Sequence, residues 1–313
     1  MSIPTVDLAQ FLSGDKIKKN AFVETLGRAY EEVGFVAVKN HGISDSLIED
    51  LYKHVQEFFS LPLEQKKKYE IKDLAGQRGY TSFGKEHAKG SAAPDLKEFF
   101  QYGQTPRDNY KEENYPDNVK VSQVPFFNET FENAFRAFEK SGTFLLQAIA
   151  LYLGLNENYF DEFVYNGNSI LRAIHYPPIT ETPQSAIRAE QHEDINLITL
   201  LVGASADGLQ ILTKQNEWVA VTSLPDQIVV NVGDMLQRLT NNKFRSTTHR
   251  VVNPKKELWH TSRFSIPFFL HPKSSMSLQS LQSCVDEDHP LNYDVATAGE
   301  YLTERLIEIG LKK

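Results

Sequence analysis

SILRAIHY (169–176), NLITLLV (196–202), GLQILT (208–213), EWVAV (217–221), QIVVNV (227–232), MLQRLT (235–240), TTHRVV (247–252) and RFSIPFFL (263–270) follow one another between Ser169 and Leu270. Each is short and rich in β-branched and aromatic residues, and Gly, Asp, Asn or Pro separates it from the next. Such runs read as strands of an antiparallel sandwich or barrel. The two-sheet jelly roll is the member of that class that hosts metal sites in its mouth.

Outward from this stretch the texture is helical. Phe127, Phe131, Phe135, Phe138, Leu145, Ile149 and Tyr152 recur at helical spacing, which predicts one long helix from Pro125 to Leu153 with a core-facing stripe. Phe22, Val23, Leu26, Tyr30 and Val33 predict a helix over Asn20–Val33, followed by Gly34 and a short strand at Phe35–Val38. Further helices are expected over Asp45–Phe59, from Pro62 through Tyr69, and from Ala296 to Leu311. Residues 73–94 read as a loop. The expected fold is mainly β with a helical annex. An N-terminal helical or α+β section spans 1–115, the long helix and jelly-roll catalytic core span 116–275, and a C-terminal tail and helix span 276–313. With no linker between them, these parts should form one compact unit.

Composition narrows the function classes. The 313 residues carry a net charge of −8, which argues against a phosphate-binding surface and so against a nucleic-acid partner. The Lys66-Lys67-Lys68 run reads as a solvated helix face. Cys284 is the one cysteine, so neither an intrachain disulfide nor a thiolate cluster can form, and a reducing compartment is expected. The N-terminus lacks a basic-then-apolar leader, and no stretch approaches the roughly 18 apolar residues of a membrane span. The expectation is a cytoplasmic protein without a membrane partner, its oligomeric state open.

His192 and Asp194 flank Glu193, and on a strand positions i and i+2 share a side. With nine histidines and 41 acids, about one such pair is expected by chance. His249, within TTHRVV, adds a second imidazole. Two histidines and one carboxylate match the facial triad of non-haem iron(II) oxygenases, but the same set could hold zinc for hydrolysis. Arg263 and Ser265 narrow the choice. They also stand at i and i+2, on a predicted strand that continues Ile266, Phe268 and Phe269. A guanidinium on an apolar strand needs an anionic partner, which either one of the chain's 41 acids or a dicarboxylate whose other end binds iron would supply.

Seven stretches in order carry a resemblance over the whole chain. They are IPTVDLAQF (3–11), GFVAVKNHGI (34–43), LRAIHYPP (171–178), HEDINLITLL (192–201), GLQIL (208–212) with Trp218 following, VVNVGDMLQRLTNNKFRSTTHRVV (229–252) and RFSIPFF (263–269). The chain resembles the Fe(II)/2-oxoglutarate-dependent dioxygenases of the isopenicillin N synthase-like family. The resemblance implies a double-stranded β-helix with a helical N-terminal section. It implies Fe(II) on His192, Asp194 and His249, and 2-oxoglutarate as co-substrate, its distal carboxylate held by Arg263, Ser265 and Tyr176. The implied reaction couples oxidative decarboxylation of 2-oxoglutarate by O2 to oxidation, by default hydroxylation, of a small molecule, with ascorbate as accessory reductant.

Many plant members have asparagine two residues before the tyrosine. This chain has Ile174, which leaves Arg172 or His175 as candidates for the C1 end of the co-substrate. Asn231–Asp234 and Asn40-His41-Gly42 are similar to structural turns of the family. Substrate contacts are sought at Arg78 and Tyr80, in Phe99–Tyr102 and on the C-terminal helix. The alternatives are a family-type oxidase that does without 2-oxoglutarate, a zinc hydrolase and a non-catalytic ligand-binding jelly roll.

Overall fold

The computed structural model describes residues 3–74, 76–86, 95–183, 186–203, 205–222, 224 and 226–308. Its strands are β1 (Thr5–Asp7), β2 (Phe35–Lys39), β3 (Gly79–Thr81), β4 (Glu98–Gly103), β5 (Ile170–Tyr176), β6 (Ala189–His192), β7 (Ile198–Val202), β8 (Leu209–Leu212), β9 (Trp218–Ala220), β10 (Gln227–Val232), β11 (His249–Val251) and β12 (Arg263–Leu270). The helices are α1 (Leu8–Leu12), α2 (Lys16–Glu32), α3 (Asp45–Phe59), α4 (Leu63–Lys66), α5 (Phe127–Tyr152), α6 (Asp161–Val164), α7 (Asp234–Leu239) and α8 (Ala298–Glu308).

The strands form two sheets. The large one runs β1-β2-β10-β7-β12-β5-β4-β3 and the small one β6-β11-β8-β9. All pairings of the large sheet are antiparallel except β1 with β2. The expected jelly roll is present. The N-terminal section is more than an annex, because β1, β2, β3 and β4 extend both edges of the large sheet.

Alternation along each strand sorts the core. Val36, Val38, Ile228, Val230, Leu200, Ile266, Phe268 and Leu171 face the helices and pack with Phe22, Leu26, Phe58, Phe131, Phe135 and Leu145. On the opposite face Phe35, Ala37 and Val229 meet Ile211 and Val221 of the small-sheet side. Phe99, Ile174 and Tyr176 meet Ala189 and Val251 there. The large sheet is covered on both faces, which is why its central strands read as near-continuous apolar runs. The two sheets diverge enough to leave a cavity of about 570 Å³ between them.

Several expectations are corrected. MLQRLT is not a strand but belongs to α7, whose buried Met235, Leu236 and Leu239 sit at helical spacing. The loop expected over 73–94 contains β3, paired with the strand formed by EFFQYG; residues 87–94 lie outside the described residues. Helix α2 starts earlier than expected because Asp15 accepts from the amides of Ile17 and Lys18. Leu311, the expected end of the last helix, lies outside the described residues. Lys66 is not solvated. It is buried, and its ammonium lies 2.8 Å from both carboxylate oxygens of Glu98.

Candidate metal and co-substrate site

Strands β6 and β11 set His192 directly opposite His249, with ring centroids 4.4 Å apart. Asp194 does not share their strand. Strand β6 ends at His192, so the i, i+2 alternation does not carry the carboxylate; the loop beyond the strand turns it inward. His192 Nε2 and His249 Nε2 lie 3.8 and 3.7 Å from Asp194 Oδ1. Ligand atoms of all three residues fall within 4.8 Å of one another, a spacing that one ion can bridge.

The remaining atoms of these groups are already used. His192 Nδ1 donates to the Glu190 carbonyl (2.7 Å) and His249 Nδ1 to that of Thr247 (3.1 Å). A carbonyl only accepts, so each Nδ1 carries the proton and each Nε2 presents a lone pair. Asp194 Oδ2 accepts from Thr199 Oγ1 (2.7 Å) and Asn231 Nδ2 (2.8 Å), leaving Oδ1 for an ion. Burial, and then the adjacent His249, push His192 down to about 4, so it is neutral and ready to ligate near neutral pH. Burial opposes ionisation of Asp194. The charge of His249 and His192 when protonated, and the bonds from Asn231 and Thr199, outweigh it and hold the carboxyl below the usual range. Two imidazole lone pairs and one carboxylate oxygen suit Fe(II) and leave coordination positions open.

The turn at Asn231–Asp234 braces this loop. Gly233 N donates to Leu197 O (2.9 Å), Asp234 N to Asp194 O (2.9 Å) and Met235 N to Asn196 O (3.2 Å). A Cβ on Gly233 would stand 2.3 Å from the Asn196 carbonyl oxygen, so only glycine permits the approach.

On the facing wall, Arg263 is 1% exposed, and its Nε donates to Ala206 O (3.0 Å). Its Nη1 is buried without a hydrogen-bond partner among the described residues. Ser265 lines the same cavity, and the guanidinium lies 5.0 Å from the centre of the Tyr176 ring. A second buried arginine, Arg188, lies 5.9 Å from that ring and donates to Thr261 O (3.1 Å). Its Nε also has no hydrogen-bond partner among the described residues. Burial, and then the like charge of Arg263, lower Arg188 to about 10. Among the described residues no carboxylate pairs with Arg263, and an unpaired buried cation is costly, so this end of the cavity favours an anionic ligand, as the carboxylate of 2-oxoglutarate would be. Sequence reading missed Arg188, which lies outside the quoted stretches; only the folded chain brings it to Tyr176.

Ile174 lines the cavity, as does Arg172. His175 does not; it turns to the other face, bonding Glu98 (2.7 Å) and Ser262 (3.0 Å) and stacking on Phe264. Arg78 and Tyr80 are buried away from the cavity, with Tyr80 bonded to Glu98. Of Phe99–Tyr102, only Gln101 lines the cavity. Leu302, Arg305 and Leu306 of α8 do line it, as expected of the C-terminal helix. His41 sits in its turn, accepting from Ile43 N (3.3 Å).

Residues 3–123 match the family described as non-haem dioxygenase in morphine synthesis N-terminal, and 167–272 match the 2OG-Fe(II) oxygenase superfamily. A proline hydroxylase, buaE, of Petromyces alliaceus is 33% identical over 98% of this chain and 99% of its own. A crystal structure of a Caulobacter crescentus protein assigned to the 2OG-Fe(II) oxygenase family shares 38% identity, with a TM-score of 0.88 over 98% of this chain and 99% of that one. A Neurospora crassa protein crystallised in complex with alpha-KG and thymine shares 30% identity, with a TM-score of 0.86 over 97% and 96%. The chain belongs to the 2OG-Fe(II) oxygenase superfamily. It is an Fe(II)- and 2-oxoglutarate-dependent dioxygenase.

Proposed function

We propose that this enzyme hydroxylates a small organic molecule, with His192, Asp194 and His249 as the iron ligands and Arg263, Ser265 and Tyr176 holding the distal carboxylate of 2-oxoglutarate. The carrying observation is the set of unspent atoms on facing walls of one cavity. Two Nε2 atoms and Oδ1 of Asp194 converge on one side, and the Nη1 of Arg263, without a partner among the described residues, lies on the other. Iron and 2-oxoglutarate, when bound, supply the oxidising power through decarboxylation to succinate and CO2 in the presence of O2.

The protein residues supply position. Thr199 and Asn231 keep Oδ1 of Asp194 aimed inward, and the carbonyls of Glu190 and Thr247 fix both histidine tautomers. Arg188 steadies the Tyr176 ring that Arg263 also contacts. Apolar Ile170, Leu201, Phe269, Leu302 and Leu306 limit water around the reacting centre.

The Neurospora neighbour's thymine and the Petromyces relative's name both fit a small polar substrate here. Among the described residues no helix is long and apolar enough to cross a membrane. A cytoplasmic setting is part of the proposal, supported by the single, buried Cys284. The test is oxygen uptake with succinate formation by protein supplied with Fe(II), 2-oxoglutarate and ascorbate. Succinate should match product formed, and Asp194→Ala should remove both. Restoration of a hydrolytic activity by zinc in place of iron would overturn the assignment.

A further inference from the structure

A charged cluster forms part of the cavity wall beyond the Arg263 end. Arg172 lies four residues from Tyr176 on β5, about 13 Å along the strand. Its Nη1 donates to Glu86 Oε2 (3.1 Å) and its Nε to Gln101 Oε1 (3.2 Å). The guanidinium lies 4.2 Å from the Phe99 ring centre and 5.4 Å from that of Phe269. Lys97 Nζ reaches Glu86 (3.0 Å) and Asp95 (2.8 Å), and the other Asp95 oxygen accepts from Glu190 N (3.0 Å). Arg172 Nη2 donates to nothing among the described residues, and Arg172 lines the cavity.

We propose that Arg172 grips the substrate, and that the substrate is a small molecule without charged groups that presents a carbonyl-type oxygen to this guanidinium. The proposal rests on the dioxygenase reading and names the substrate class for the same cavity. Three observations lead to it. The guanidinium is clamped in its plane by Glu86 and Gln101 and backed by two rings, so its free edge is a donor fixed before binding, at little entropic cost. The Glu86 and Asp95 carboxylates are already paired with Arg172 and Lys97, so the cluster offers an ammonium group no unpaired carboxylate. The cavity's charges are close to balance. Lys97, Arg172, Arg263 and Arg305 stand against Glu86, Asp95, Glu193 and Asp194, while Asp234 is tied to the Tyr301 hydroxyl. A divalent ion and a dianionic co-substrate cancel each other, so a further carboxylate would enter beside Glu86 and Asp95 uncompensated. Ile170, Phe269, Leu302 and Leu306 would receive the hydrocarbon part.

Calorimetry on the full chain tests this, kept anaerobic and loaded with Fe(II) and 2-oxoglutarate. The probes are neutral cyclic amides (thymine, uracil and 2-piperidone), simple monocarboxylates, and L-proline. Binding of 2-oxoglutarate to the wild type is measured first, and its absence would sink the dioxygenase reading itself. The expected result is binding of at least one neutral amide in preference to the carboxylates and L-proline. Arg172→Leu should weaken that binding about 10- to 100-fold, as for a lost charged hydrogen bond, while 2-oxoglutarate binds as before. Arg172→Lys keeps the charge that Glu86 needs and serves as the folded control; it should weaken the amide by less. The proposal is overturned if no neutral probe binds, or if carboxylates or L-proline bind more tightly. It is equally overturned if Arg172→Leu spares the amide or acts on 2-oxoglutarate instead.

Discussion

Asp194 has two oxygens with different work. Oδ2 is held by Thr199 and Asn231, and Oδ1 faces the two imidazoles. Asn231→Ala should therefore leave the carboxylate free to swing and cost about 10- to 100-fold in metal affinity, measured by competition with a chelator, with little change in 2-oxoglutarate specificity. The arginine pair behaves differently. Arg263→Ala should raise the KM for 2-oxoglutarate about 100-fold while iron still binds, because only one end of the co-substrate loses its partner. Arg188→Gln should give a smaller rise in the same KM, since it acts through Tyr176. An unchanged KM in Arg188→Gln would show that the second arginine serves the fold alone.

At the scale of elements, the site depends on one loop pressed against one turn. Gly233 sits so close to Asn196 that Gly233→Ala must push the 194–197 loop outward. A cost of roughly 1–3 kcal/mol in stability is expected from the forced shift, together with loss of iron, both readable by thermal melts with and without metal. Helix α8 closes the cavity through Leu302, Arg305 and Leu306 and is tied to the turn by Tyr301, whose hydroxyl donates to Asp234 (2.9 Å). Truncation before Ala298 should leave metal and 2-oxoglutarate binding largely intact. It should also raise succinate formed per product, because an open cavity no longer couples the two half-reactions.

For the whole molecule, proton linkage gives opposed terms. Burial pushes Asp234 up to about 7 from 3.8, so the folded protein holds a proton that the unfolded chain loses near pH 4. Its contribution is present at low pH and is lost as pH rises from about 4 to 7. Burial pushes His271 down to about 4, from 6.5, and His192 likewise. Their unfolded forms bind protons first, so these two groups destabilise the metal-free protein as pH falls from 6.5 to 4. Asp234→Asn isolates the first term. Its stability relative to the wild type should grow between pH 4 and 7 by an amount on the order of 1–4 kcal/mol, read from denaturant unfolding of the metal-free protein. A flat difference across that range would contradict the burial argument.

The sequence by itself determined the class of fold and, through its resemblance to a family, the class of reaction. Short β-rich runs, two histidines with an acid, and an arginine on an apolar strand are local patterns, and local patterns survive in one dimension. It also misled where one local signal stood alone. MLQRLT has apolar residues that suit a strand or a helix, and the turn at Gly233–Asp234 settles it as helix. Lys66 belongs to a charged run, yet Glu98, 32 positions away, draws it inside. The period-2 argument joined His192 to Asp194 on one strand, whereas the strand stops and a loop delivers the carboxylate. Only the tertiary structure decided which long side chains face the cavity. It turned Arg172 in and His175 out, set Arg188 beside Tyr176, and left Arg78 and Tyr80 in the core. The physical reason is that a cavity between two sheets is lined from many separate strands, so its composition depends on pairing register and sheet packing, which no single stretch encodes.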